Sequence, residues 1–68
     1  MIIKEPGMQL VLNTAEQLES MPSGTIFIDD NDTVGEKLDH GEFITTGSEH
    51  FFKARNFVFP VTTLHIPE

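Results

Sequence analysis

The chain contains no cysteine, and in 68 residues that absence constrains the fold more than any motif does. A domain this small buries only about 60% of the surface its unfolded chain exposes. Small scaffolds therefore usually add disulfides, a metal or a second subunit. Disulfides and thiolate metal sites are excluded here. Dense packing must carry the core, with self-association as the other route. Six phenylalanines, and no tryptophan or tyrosine, supply large fillers without polar atoms, each worth roughly 1.5–3 kcal/mol when fully buried. Residues 1–68 are read as a single small domain.

Turn signals recur at short intervals, the pattern of a compact β-rich domain. Glu5-Pro6-Gly7 breaks the chain before a short apolar run at 8–12. Asn13 or Thr14 can cap a helix, with Glu16 or Gln17 as the reciprocal partner. Ala15, Leu18 and Met21 then form its apolar face, and Pro22-Ser23-Gly24 ends it. TIFID at 25–29 reads as a strand and DDND as a turn. VGEKLD at 34–39 alternates, with Val34, Glu36 and Leu38 on one side and Gly35 and Lys37 on the other. Asp39-His40-Gly41-Glu42 is a second turn, because glycine accepts the positive φ of hairpin loops. EFITT at 42–46 completes a meander. Ser48 can cap a short helix, EHFFKAR, and the last segment is a strand. Pro60, unable to donate a ladder hydrogen bond, marks an edge or a strand start near Val61. The expectation is an α+β fold: a small antiparallel sheet of three to five strands with one or two short helices, with a small SH3-like barrel as the rival.

The net charge of −7 is uneven. Nine acids and one base, Lys37, lie between Glu16 and Glu49, whereas the remaining residues carry a slight positive excess. Such a field repels nucleic acid and anionic membrane and favours basic partners. No apolar run approaches the roughly 20 residues of a membrane span, and MIIKEPG lacks the apolar core of a signal peptide.

The acidic turn fails as an EF-hand, which needs oxygen ligands at positions 1, 3 and 5, glycine at 6 and glutamate at 12. Started at Asp30, position 12 is Gly41; started at Asp29, position 6 is Val34 and position 12 is His40. His40, His50 and His65 have no metal-ligand spacing. Ser20, Ser23 and Ser48 sit where capping explains them, and no glycine-rich phosphate loop or nucleophile elbow is present. The reading assigns no catalytic residue, metal or cofactor. The candidate partner-binding surface is Asp29, Asp30, Asp32, Glu36, Asp39 and Glu42. Phe51, Phe52, Phe57 and Phe59, from the most apolar segment, are the candidate apolar interface, although most of them are expected in the core.

Thr14-Ala15-Glu16-Gln17-Leu18, Met21-Pro22-Ser23-Gly24, Asp30-Asn31-Asp32, Asp39-His40-Gly41 and Pro60-Val61-Thr62-Thr63-Leu64-His65 together resemble a pattern in small accessory proteins of tailed phages that infect actinobacteria. The likeness runs from residue 13 almost to the end. It departs from that pattern where Thr33 follows Asp32 with no glycine in the turn, and where Gly35 stands near the position of the usual aromatic. The resemblance implies phage or prophage origin, location in the host cytoplasm and a host-interaction role. The functional expectation is a non-enzymatic protein that binds a basic protein partner, with no nucleic-acid or membrane target. The alternative is a self-assembling structural protein, pairing through residues 51–59 or an edge strand ending at Ile66.

Overall fold

The computed structural model describes residues 9–67; the Glu5-Pro6-Gly7 break and Met8 lie outside them. Five strands make one antiparallel sheet: β1 (Val11–Leu12), β2 (Ile26–Ile28), β3 (Val34–Lys37), β4 (Phe43–Thr45) and β5 (Val61–His65). Their spatial order is β1-β5-β2-β3-β4, an open sheet and not a closed barrel. The α+β expectation holds and the barrel is set aside.

One helix, α1 (Ala15–Glu19), joins β1 to β2. Its start is a reciprocal cap: Thr14 Oγ1 accepts from the Gln17 N–H at 3.2 Å, and Gln17 Oε1 accepts from the Asn13 N–H at 2.6 Å. Those bonds satisfy donors that a helix start leaves open. β2, β3 and β4 form the expected meander, with Phe27 opposite Gly35 and Glu36 opposite Ile44. The chain then crosses back so that β5 inserts between β1 and β2. Pro60 falls immediately before β5, which fits the predicted start at Val61. β5 is therefore an interior strand over Val61–Thr63, and among the described residues its end toward Ile66 is paired only on the β2 side.

Alternation sorts the strand residues into two faces. The inner face carries Leu12, Phe27, Gly35, Lys37, Phe43, Val61 and Thr63, all buried. Against it pack Leu18 of α1, Ala54 and Phe57, with Ala15, Met21, Phe52 and Phe59 at the margin. Phe27, Phe43 and Phe57 meet edge to face, with centroids 5.0–5.8 Å apart. Such pairs add about 0.5–1.5 kcal/mol each beyond burial.

The segment expected as a helix, EHFFKAR at 49–55, is instead extended around Phe52. The Phe43 N–H donates to the Phe52 carbonyl at 3.0 Å and the Phe52 N–H returns a bond to Phe43 at 2.7 Å. Phe52 thus lies along the outer edge of β4. Ser48 caps a turn, accepting from the His50 N–H at 3.1 Å. Only Ala54–Asn56 coil, in a single 3₁₀ turn.

Candidate functional site

The six candidate acids do not form one patch. Asp29 is buried, 6% exposed. Its Oδ1 accepts from the Asn31 and Thr33 N–H groups at 2.9 Å each, and its Oδ2 accepts from the Val58 N–H at 3.0 Å. The carboxylate is committed to the backbone and drops out of the partner surface. The next residue continues the tie, because the Asp30 N–H donates to the Val58 carbonyl at 2.8 Å. The acidic turn is thereby anchored to the segment before β5.

The other acids occupy three places. Asp30 and Asp32 are exposed at the β2–β3 turn. Asp32 has φ 63°, the left-handed position that glycine would otherwise hold, and aspartate is among the residues that tolerate it. Asp39 and Glu42 flank the β3–β4 turn at the opposite end of β3. There His40 and Gly41 both have positive φ, as a type I′ turn requires. Asp39 Oδ1 accepts the Ser23 hydroxyl at 2.7 Å. Glu36 stands between the two ends, half-buried on the outer face.

That outer face is largely aliphatic. The register places Val11, Thr62, Ile28 and Val34 in one cross-strand row and His65, Ile26, Glu36 and Ile44 in another. Leu64 lies at a register shift beside them. Val11 is 59% exposed and Leu64 is 40% exposed, and the isoleucines and Val34 are half-buried. An antiparallel sheet with one wet face ordinarily alternates apolar-in with polar-out; here the outer face mixes aliphatic residues with Thr62, Glu36 and His65. Among the described residues, the core-forming turns and α1 all lie on the inner side. A shallow depression of about 280 Å³ runs over this face, lined by Ile26, Val34, Glu36, Ile44 and Thr46 with the backbone at Gly35 and Thr45.

Lys37, the one base between Glu16 and Glu49, sits on the inner face opposite Phe43 and is 9% exposed. A lysine there buries its aliphatic stem, and it stands across the sheet from Glu36. The outer face therefore has an aliphatic centre holding one acid, and acids at both ends.

Of the four candidate phenylalanines, Phe57 is buried in the core and Phe52 and Phe59 pack against it. Phe51 alone is open, at 63% exposed. The sequence reading points to the phenylalanine segment for apolar contact and does not single out the aliphatic face. Its signal was present in Ile26, Ile28 and Val34, the residues that alternate with Phe27 and Gly35.

His40, His50 and His65 are separately exposed. Among the described residues no group of three or more histidines or acids could hold a metal ion, and no helix is long and apolar enough to cross a membrane. Comparison of the chain with protein-family models, curated proteins and solved structures finds no match.

Proposed function

We propose that this protein is a non-enzymatic binding protein that engages a basic surface on a protein partner through the outer face of its sheet. The observation that carries this reading is a half-buried aliphatic face that no element of the described residues covers, with acids at both ends. Protein interfaces share that arrangement, with an apolar centre inside a polar rim. The acids would steer the encounter and the aliphatic centre would hold the complex. The phage-like pattern noted above extends the proposal to an accessory role in the cytoplasm of an actinobacterial host.

Self-assembly is the second reading. Its candidate surfaces are the sheet face, the exposed Phe51 and the end of β5 toward Ile66, which β1 does not pair.

Retention of a host protein from lysate by the tagged protein, followed by association kinetics with that protein, tests the proposal. Asp30→Lys combined with Asp32→Lys should slow association and flatten its dependence on salt. Ile44→Thr should instead speed dissociation. Retention indifferent to both changes would remove the reading, and a dimer in light scattering that Ile44→Thr abolishes would favour self-assembly.

A further inference from the structure

We infer that the occupant of the outer face is an amphipathic, basic helix of a partner protein, an inference that rests on the binding reading above. The first observation concerns the sheet edges. An extended peptide adds to a sheet through unpaired backbone groups. Among the described residues β1 offers two, the outward N–H and carbonyl of Phe43 in β4 are already bonded to Phe52, and on β5 only the short stretch past Thr63 has no β1 partner. The face, in contrast, spans five strands, about 19 Å, wide enough for a helix about 10 Å across.

The second observation is charge. Glu36 stands within the apolar depression, and Asp30 and Asp32 continue the same sign beyond Val34. A second copy laid face to face would bring another Glu36 and another net charge of −7 onto the same surface. Burying unpaired like charges is costly. A helix with apolar residues at i, i+3 or i+4 and i+7 would place an apolar anchor between Ile26, Val34 and Ile44. A lysine or arginine on its flank would meet Glu36, and further bases would reach Asp30 and Asp32.

The probe is a synthetic helical peptide of about 18 residues, five turns, with a leucine stripe flanked by lysines. Two controls accompany it: a twin with glutamates for the lysines, and a scrambled peptide of the same composition. Amide shifts of the isotope-labelled protein should cluster on β2, β3 and β4. Ile26→Thr with Ile44→Thr should weaken binding about tenfold, as loss of central apolar contacts does. Glu36→Lys should weaken the basic peptide and strengthen the acidic twin. Threonine is well suited to strands, and circular dichroism verifies that each variant is folded.

Equal binding of the scrambled peptide, with shifts confined to the two acidic turns, would overturn the inference in favour of bare charge attraction. Absence of binding would overturn it as well, and so would a dimer in sedimentation that the double threonine variant abolishes. The same face variants in the lysate experiment separate the two levels. A partner lost on those variants while the peptides stay silent sinks the helix alone; a partner retained by them sinks the binding face too.

Discussion

Asp29 shows how one side chain converts an acidic loop from a surface feature into a structural joint. Its carboxylate accepts three backbone N–H groups, two within its own turn and one from Val58, 29 residues away. Asp29→Asn replaces one acceptor oxygen with an NH₂ donor, so a buried N–H is left without its partner. We expect a loss of roughly 1–3 kcal/mol in urea unfolding. Asp30→Asn, one residue along and exposed, should change stability by no more than about 0.5 kcal/mol; equal effects of the two changes would contradict this assignment. Gly35 makes a second case. A Cβ there would stand 2.7 Å from Phe27 Cζ and 3.2 Å from the Ile44 carbonyl. The ring of Phe27 thus fills the space over Gly35 that a side chain would need. Gly35→Ala should cost about 1–3 kcal/mol by overpacking, read as a lower urea midpoint with an unchanged slope. Phe27→Leu in the same chain should recover part of that loss. At this scale the sequence spoke clearly where an effect is local: the Thr14 cap and the glycine at 41 follow from chemistry within four residues. It was silent on Asp29, whose third partner is set by tertiary folding.

Among the elements, the meander was legible because alternation within VGEK already separates Val34 and Glu36 from Gly35 and Lys37. The segment from Ser48 to Phe59 was not. Adjacent phenylalanines after a capping serine fit a short helix locally, but a helix there has few residues to repay its nucleation. Pairing with β4 gives Phe52 two backbone hydrogen bonds and places Phe57 between Phe27 and Phe43. The element's worth thus lies in contacts distant in sequence, which no window on 48–59 can display. The prediction at this scale contrasts two phenylalanines that look alike in the sequence. Phe57→Ala should cost about 3–5 kcal/mol, a large fraction of the 5–15 kcal/mol typical of whole domains, and should leave much of the chain unfolded in amide spectra. Phe51→Ala should stay within about 0.5 kcal/mol. Similar losses for both would mean that the 48–59 segment does not seat Phe57 in the core as described.

For the whole molecule, the distribution of charge decides a response that no single residue shows. Eleven acids against four bases give −7 in 68 residues, and Lys37 is turned to the inner face. At low ionic strength the screening length, about 30 Å at 0.01 M, exceeds the separation of most charges in so small a fold. The acids then repel one another more strongly in the folded chain than in the expanded unfolded one. Added salt should relieve that repulsion. The melting temperature should therefore rise by several degrees between roughly 0.01 M and 0.15 M sodium chloride, given about 4–8 °C per kcal/mol for a domain of this size. A variant carrying Asp30→Asn, Asp32→Asn and Glu42→Gln removes three negative charges at the two hairpin turns. It should melt higher than the parent at low salt and show a flatter salt response. Asp29→Asn also removes one negative charge, yet it should melt lower at every salt concentration, because its carboxylate is held by backbone donors. Calorimetry across the salt series measures all three proteins together. A parent that melts lower as salt is added would show that attractive pairs outweigh repulsion, and would remove the acids' role as an unopposed field available to a basic partner.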